Sequence, residues 1–161
     1  MNKILVIGYG NTVRSDDGVG VWIAERIADL SLPFVEVQTC HQLQLEMVPD
    51  IIEYDAVILI DASATGEAIA YRRCSSSMAL PSPSDHTVSP DTLQQLAFEV
   101  YHDSVELHLF TIRGESFEFG WTLSPAAEDR ATEALARISS FLHSCKRKVP
   151  GSISTSIEAK A

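Results

Sequence analysis

Continuous runs of apolar residues alternate along the chain with segments of helical periodicity. Residues 3–8 (KILVIG) and 56–60 (AVILI) are short and rich in branched side chains, which is typical of strands covered on both faces. Residues 105–111 alternate between apolar and other side chains, as strand residues do. Strands are therefore predicted at residues 3–8, 34–39, 56–60, 68–73 (an edge strand), 105–111 and 116–119.

Helices are predicted where apolar residues recur every three or four positions. One such stripe predicts a helix that ends before Pro33, and residues 43–48 predict a short helix. Two further helices begin at Ser-Pro pairs, at residues 89–90 and 124–125, because serine caps a helix and proline suits its first turn. The last helix has a predicted buried stripe of Ala131, Leu135, Ile138, Leu142 and Cys145.

The alternation of strands and helices predicts an α/β fold. A β-α-β-α-β order gives a mainly parallel sheet with helices on both faces. The chain has 161 residues, and we assign one domain to residues 1–148 and a flexible tail to the small, polar residues 149–161. Such sheets bind ligands beyond the carboxyl ends of their strands. The loop after Gly8 and the strand end at Asp61 are therefore the first candidate sites.

The charge balance narrows the classes of partner. The chain has 12 Lys and Arg residues against 22 Asp and Glu residues, a net charge of −10. This charge repels phosphate backbones and anionic lipids, so neither nucleic acid nor a membrane surface is an expected partner. There is no long apolar run or signal peptide, and Cys40, Cys74 and Cys145 are an odd, widely spaced set. These features predict a cytoplasmic protein with reduced thiols.

The loop after the first strand contains glycines but lacks a nucleotide-binding signature. The Gly-x-Gly run at residues 8–10 would need a third glycine where Val13 stands, and no Walker lysine follows. The charges of Asp16 and Asp17 would also repel a pyrophosphate at the start of the helix. One of the two aspartates is expected to cap this helix, which leaves the other free for different chemistry.

Several segments together carry a resemblance to a known family. GYGN at residues 8–11 with SDDGVG at residues 15–20 resembles the opening signature of the [NiFe]-hydrogenase maturation endopeptidases. Later features of that family follow in the same order. They are a strand that ends in Asp61, a histidine that closes the middle loop at His86, and a segment over residues 114–125. The resemblance covers nearly the whole predicted domain.

The resemblance implies a fold, an activity and a set of ligands. The fold is a three-layer α/β sandwich around a mixed five-stranded sheet. Members of the family remove a short C-terminal extension from a [NiFe]-hydrogenase large-subunit precursor once its nickel is in place. The family's metal ligands correspond here to Asp17, Asp61 and His86, which are also the implied catalytic residues. The implied metal is nickel, held by the enzyme or carried by the substrate, and another divalent metal is expected to substitute for it.

The residue types at these positions suit such a site independently. Asp17 and Asp61 each follow a strand, and their carboxylates meet if those two strands are neighbours. Two carboxylates and one imidazole leave coordination positions open, as in catalytic metal sites. A second mechanism stays open, in which Asp17 and Asp61 share a proton as in aspartic peptidases.

Other polar and aromatic candidates are weaker. His41 and Gln42 follow the second strand, where the family has a variable recognition motif, so the resemblance implies contact with the substrate. An ordinary surface turn explains this pair equally well. Phe117, Phe119 and Trp121 are interpreted as packing residues.

The sequence therefore predicts a hydrolase, an endopeptidase of hydrogenase maturation whose partner is the large-subunit precursor. A different class remains open, a non-catalytic scaffold of flavodoxin-like shape that binds a nucleotide or a metal. Phosphate bound at the glycine loop would favour the scaffold. A metal ion that bridges Asp17, Asp61 and His86 would favour the peptidase.

Overall fold

A computed structural model of the chain describes residues 2–76 and 88–147. Its strands are β1 (Ile4–Tyr9), β2 (Val35–Cys40), β3 (Ala56–Ser63), β4 (Ile69–Arg73) and β5 (Glu106–Arg113). They form one sheet in the order β2-β1-β3-β5-β4, in which β4 is antiparallel to β5 and all other neighbours are parallel. The predicted mixed, mainly parallel five-stranded sheet and the edge position of β4 are confirmed.

The two central strands are buried because their side chains are almost all apolar. Every residue of β1 is buried, and so is the run from Ala56 to Ile60 in β3. β1 pairs with β3 in parallel, with Gly8 opposite Ile60. The strands that precede Asp17 and Asp61 are therefore neighbours, as the predicted site requires.

Helices cover both faces of the sheet and complete the predicted three layers. They are α1 (Val19–Asp29), α2 (Val48–Ile51), α3 (Pro90–Tyr101) and α4 (Pro125–Arg147), with 3-10 turns at Ser15–Gly18 and Leu45–Met47. Ile4 and Val6 of β1 lie in a core with α1 and α4, whereas Leu5 and Ile7 lie in a second core with α2 and α3. The alternation of side chains along a strand thus divides β1 between two apolar cores.

Both Ser-Pro pairs begin helices, as predicted. Ser89 Oγ accepts a hydrogen bond from the Thr92 amide at 3.2 Å, and Pro90 is the first residue of α3. Ser124 Oγ accepts a bond from the Ala127 amide at 3.3 Å at the start of α4. These serines satisfy first-turn amides that have no partner within the helix.

Two glycines allow the start of α1 to lie directly against the sheet. A Cβ atom on Gly20 would lie 2.2 Å from the carbonyl oxygen of Ile60, and one on Gly8 would lie 2.2 Å from the carbonyl oxygen of Gly20. No side chain fits at such distances, so only glycine permits this approach. The turn that contains Asp17 is thereby held against the ends of β1 and β3.

The predicted strand at residues 116–119 is wrong. These residues lie in an irregular loop, with one isolated bridge between Arg14 and Gly120. The amides of Glu115 and Ser116 donate to the carboxylate of Asp16 instead of to a neighbouring strand. A buried carboxylate thus takes the hydrogen bonds that a strand would have needed.

The predicted aspartate cap of α1 is also wrong. Gly18 occupies the N-cap position, and no side chain caps the helix. Both candidate carboxylates accept other hydrogen bonds, that of Asp16 from residues 115–124 and that of Asp17 from the Asn11 amide.

The structure differs from the predictions at three further places, one helix start and two sets of side chains. The helix predicted at residues 43–48 begins later, as a 3-10 turn at Leu45 that continues into α2. In α4, Leu135 and Cys145 pack against the core but are only partly buried. Ala127 and Ala134 are buried in addition to the predicted Ala131, Ile138 and Leu142. Phe119 and Trp121 are exposed, so their interpretation as packing residues is wrong.

The predicted tail at residues 149–161 lies outside the described residues. Cys40, Cys74 and Cys145 form no disulfide bond with one another. In residues 2–76 and 88–147, no helix is long and apolar enough to cross a membrane.

Candidate functional site

Asp61 lies where β3 leaves the core, at the carboxyl end of the sheet. The strand is fully buried up to Ile60, and Asp61 is half-buried. Its Oδ1 accepts a hydrogen bond from the Ala62 amide at 2.7 Å. The hydroxyl of Tyr9, the last residue of the neighbouring strand β1, donates a second hydrogen bond to the carboxylate. Parallel pairing of β1 and β3 therefore assembles this end of the site.

The environment of Asp61 raises its pKa to about 6. Burial is the main cause, because it disfavours the charged form. The hydrogen bonds from Ala62 and Tyr9 partly oppose this rise, and the charge of Asp17 adds to it. Burial, reinforced by the charge of Asp61, also raises the pKa of the Tyr9 hydroxyl, which therefore stays a protonated donor. Asp61 can consequently gain or lose a proton near neutral pH.

Asp17 lies in the 3-10 turn before α1. Its Oδ2 accepts a hydrogen bond from the Asn11 amide at 2.7 Å, and the Asn11 side chain accepts one from the Val13 amide at 3.1 Å. These bonds hold the half-buried carboxylate close enough to Asp61 for its charge to raise the pKa of that group. The structure thus brings the two predicted aspartates to the same end of the sheet.

The glycine loop has little capacity to bind an anion. A phosphate at this loop would take its hydrogen bonds from backbone amides. The Asn11 amide already donates to the carboxylate of Asp17, and that negative charge would repel a second anion.

A pocket of about 290 Å³ opens beside Asp61. Its described lining residues are Tyr9, Gln42, Leu43, Asp61, Val88, Ser89 and Pro90. The mixture of apolar walls and a few polar groups is typical of binding pockets. Of the two residues predicted to contact substrate, Gln42 lines this pocket. His41 is exposed and is not among the described residues that line it.

His86, the third predicted ligand, lies outside the described residues. Among residues 2–76 and 88–147, no three His, Cys, Asp or Glu side chains are grouped so that they could hold a metal ion. Asp17 and Asp61 supply carboxylate oxygens, which suit divalent cations. A third His, Cys, Asp or Glu ligand would have to come from residues outside the described part or from a bound substrate.

Asp16 has a structural role that the sequence did not reveal. Its side chain is 0% exposed and accepts hydrogen bonds of 2.7–2.9 Å from the amides of Glu115, Ser116 and Ser124 and from the Ser124 hydroxyl. Burial alone raises its pKa, but these donors outweigh burial and hold the pKa below its ordinary value. Asp16 therefore ties the loop of residues 114–124 to the turn that contains Asp17.

Two further residues near the pocket were not predicted from the sequence. Tyr9 is the middle residue of the Gly-x-Gly run at residues 8–10. Its position at the end of a strand was the one sequence feature that could have indicated a place in the site. Leu43 follows the predicted pair at residues 41–42 and is buried, which is a common property of leucine and indicates no site. Asp91, at the second position of α3, pairs with both guanidinium nitrogens of Arg72 at 2.9 Å.

Solved structures of known proteins share this fold. The [NiFe] hydrogenase maturation protease HycI from Thermococcus kodakarensis KOD1 has a TM-score of 0.70 at 24% identity, over 88% of this chain and 93% of that one. The hydrogenase maturating endopeptidase HybD from E. coli has a TM-score of 0.69 at 22% identity, over 89% of this chain and 93% of that one. A hydrogenase 2 maturation peptidase from a Thaumarchaeota archaeon has a TM-score of 0.65 at 20% identity, over 88% and 98% of the two chains.

No protein-family model and no curated protein matches the chain. The similarity to the solved structures therefore establishes the fold. Over most of its length, the chain adopts the α/β fold of the [NiFe] hydrogenase maturation proteases.

Proposed function

We propose that the chain is a cytoplasmic endopeptidase that removes the C-terminal extension of a [NiFe]-hydrogenase large-subunit precursor after nickel insertion. The observation that carries this proposal is the meeting of Asp17 and Asp61 beside an open pocket. The solved structures that share the fold include hydrogenase maturation proteases, which supports the same activity here. The resemblance of residues 8–11 and 15–20 to the opening signature of that family supports it further.

The proposed site binds the nickel ion of the precursor through Asp17, Asp61 and His86. Burial and the nearby charge of Asp17 both raise the pKa of Asp61, and a bound cation would offset both effects. When bound, a divalent ion polarises a carbonyl group or activates water. Tyr9 and Asp61 both line the pocket, and the Tyr9 hydroxyl favours the charged form of the Asp61 carboxylate.

A carboxylate dyad is the alternative mechanism for the same reaction. The pKa of about 6 for Asp61, beside a second carboxylate, is the observation that favours it. In this mechanism Asp17 and Asp61 share one proton, and Asp61 acts as a general base near neutral pH. Equal cleavage of nickel-loaded and nickel-free precursor, with a chelator present, would favour the dyad. Cleavage of the loaded form alone would favour the metal.

The pocket beside Asp61 is proposed to hold a side chain of the precursor next to the bond that is cut. Leu43 and Val88 supply apolar walls, and Gln42 supplies a polar group that can bind the peptide backbone. His41 is proposed to contact the substrate from the exposed bend beside Gln42.

The proposal is tested by incubating the purified chain with the precursor and measuring the intact mass of the product. Asp17→Asn and Asp61→Asn are each expected to slow cleavage by a factor of about 10²–10⁴ while the circular dichroism spectrum stays unchanged. Asp29→Asn, at the exposed end of α1, is the matched control and is expected to cleave normally. Normal processing by a folded Asp61→Asn chain would contradict the proposal.

The alternative, a non-catalytic scaffold, predicts the opposite result when the purified chain is incubated with the precursor. It expects uncut precursor at every metal loading, together with a phosphate-induced shift of the Asn11 amide resonance. The occupation of that amide by Asp17 disfavours this outcome.

A further inference from the structure

The loop of residues 114–124 presents two large aromatic side chains to solvent. Phe119 is 78% exposed and Trp121 is 73% exposed, the largest fractions among the described large hydrophobic residues. Their rings contact each other edge to face, with centroids 6.1 Å apart. Clustered apolar surface of this kind is characteristic of binding surfaces, whereas single exposed apolar residues are ordinary.

This aromatic pair lies on a loop that is firmly held. The Ser15 amide donates to the Gly120 carbonyl at 2.9 Å, and the Gly120 amide donates to the Val13 carbonyl at 2.9 Å. Ser15 Oγ donates to the Glu118 carbonyl at 2.8 Å, and Asp16 binds both ends of the loop. A loop fixed in this way loses little conformational freedom when a partner binds, which favours affinity.

Trp121 lines a groove of about 390 Å³ that borders the turn before α1. Trp22 and Leu123 contribute further apolar surface, and Glu25 and Glu128 contribute exposed carboxylates. No Lys or Arg is among the described residues that line the groove. The ion pairs found in residues 2–76 and 88–147 involve neither carboxylate. The groove is therefore both aromatic and acidic.

One lining residue, Trp22, already makes a contact of the kind that the groove could make with a partner. The guanidinium of Arg26 stacks on the ring of Trp22, 3.4 Å from its centroid. In the described part of the chain, Trp121 contacts the ring of Phe119 and no cation. A Lys or Arg from another protein could stack on Trp121 in the same way, with the carboxylates nearby to balance its charge.

We propose that this groove, defined by Trp22, Glu25, Trp121, Leu123 and Glu128, docks an extended protein segment that carries Lys or Arg side chains. The net charge of −10 attracts such a segment from a distance. Gly18 also lines the groove, so the docked segment passes beside the turn that contains Asp17. Naming the partner as the large-subunit precursor rests on the proposed function, whereas the chemistry of docking rests on the groove alone.

The first experiment measures docking without any cleavage. The chain has 2 tryptophans, so its ¹H-¹⁵N spectrum contains two indole resonances, and Trp121→Ala identifies that of Trp121. The probe is the acetylated, amidated heptapeptide Gly-Lys-Gly-Arg-Gly-Lys-Gly, with a glutamate-substituted peptide as the negative control. The cationic peptide is expected to shift the Trp121 indole resonance in a saturable manner, and the acidic peptide is expected to leave it unchanged.

Variants with changes inside and outside the groove show which side chains contribute to binding of the cationic peptide. Trp121→Ala is expected to weaken peptide binding about tenfold, as truncation of a central aromatic does. Glu25→Gln combined with Glu128→Gln is expected to weaken it about fivefold and to reduce its dependence on salt. Phe98→Ala removes an exposed aromatic, 56% exposed, from α3 on the other side of the sheet, and it is expected to have no effect.

The second experiment uses the precursor. Trp121→Ala is expected to raise KM about tenfold with kcat unchanged. The docking proposal is wrong if the cationic peptide leaves the Trp121 resonance unchanged, or if Phe98→Ala weakens binding as much as Trp121→Ala. It is also wrong if the groove binds a second copy of this chain, so that Trp121→Ala converts a dimer to a monomer in sedimentation and does not change peptide binding. Retained peptide binding with no precursor cleavage would contradict the proposed function and still support docking.

Discussion

Replacing Asp16 with asparagine tests whether a buried carboxylate holds the candidate site together. Oδ2 of Asp16 accepts bonds from the Glu115 and Ser116 amides and from the Ser124 hydroxyl, and Oδ1 accepts one from the Ser124 amide. Asparagine has one acceptor oxygen, and its NH₂ group must then face an N–H or O–H donor. The substitution keeps the shape of the side chain and reverses part of its hydrogen bonding.

The expected cost follows from the bonds that asparagine cannot make. With its oxygen in the place of Oδ2, Asp16→Asn loses the bond from the Ser124 amide and leaves that amide without an acceptor. A charge-assisted bond contributes about 1.5–3 kcal/mol, and an unsatisfied buried donor costs a similar amount. The lost bond and the unsatisfied donor describe partly the same free energy, so the two values are not added in full. We expect the free energy of unfolding to fall by about 3 kcal/mol. For a domain of this size, the melting temperature falls by about 6–12 °C.

Urea unfolding at pH 7 measures this loss, and Asp17→Asn is the matched control. The control removes the charge of a half-buried carboxylate, and the asparagine oxygen can still accept its one backbone bond, so we expect a cost of at most about 1 kcal/mol. An Asp16→Asn chain whose free energy of unfolding lies within about 0.5 kcal/mol of the wild type would refute the assigned role of Asp16.

The pH dependence gives an independent check on Asp16. Its folded pKa lies below the ordinary value of 3.8, so the folded state binds fewer protons than the unfolded state. The contribution of Asp16 to stability is therefore complete above that ordinary value and is lost as the pH falls towards the folded pKa. The difference in stability between wild type and Asp16→Asn should be constant between about pH 5 and 7 and should shrink below about pH 4.

Three further predictions concern the ends of β1 and β3. The first is that Asp61→Asn raises the free energy of unfolding at pH 8 by about 1–3 kcal/mol, measured by urea titration with a chelator present. The reason is that a raised pKa means that ionised Asp61 destabilises the fold. This gain should shrink as the pH falls below about 6 and disappear by about pH 3, where Asp61 is protonated in both states. No gain at pH 8 would contradict the burial assigned to Asp61. Tyr9→Phe removes a donor to the charged form, so the pKa of Asp61, followed by carboxyl ¹³C NMR, should rise above about 6, and an unchanged value would exclude that bond. Gly20→Ala places a Cβ atom 2.2 Å from the Ile60 carbonyl oxygen and should cost about 3 kcal/mol or more in thermal unfolding, whereas a neutral result would contradict the close approach of α1.

Features that depend on neighbouring residues could be predicted from the sequence. The Ser-Pro pairs begin α3 and α4 because a serine cap and a first-turn proline act within a few residues. The meeting of Asp17 and Asp61 could also be predicted, because parallel strands bring their carboxyl ends to one edge of the sheet.

Hydrogen bonds between particular residues that are distant in the sequence could not be predicted. The carboxylate of Asp16 binds amides that lie 99 to 108 positions later, and a backbone amide has no signature in the sequence. Without that contact, residues 116–119 resemble a strand, and an aspartate before a helix resembles a cap. The exposure of Trp121 was missed for a related reason, since hydrophobicity does not show which way an irregular loop faces.

The bonds of Asp16 also set an order of events during synthesis. A ribosome adds about 5–20 residues per second, so roughly 5–20 seconds separate the synthesis of Asp16 from that of Ser124. Throughout that interval the carboxylate of Asp16 lacks the donors that hold it in the folded chain. The turn that contains Asp17 therefore takes its final shape after β1, β2 and β3 have left the ribosome. A nascent chain in which the sheet has begun to form therefore still lacks the contacts that hold the turn of Asp17, and the proposed site is completed only after residues 115–124 have been added.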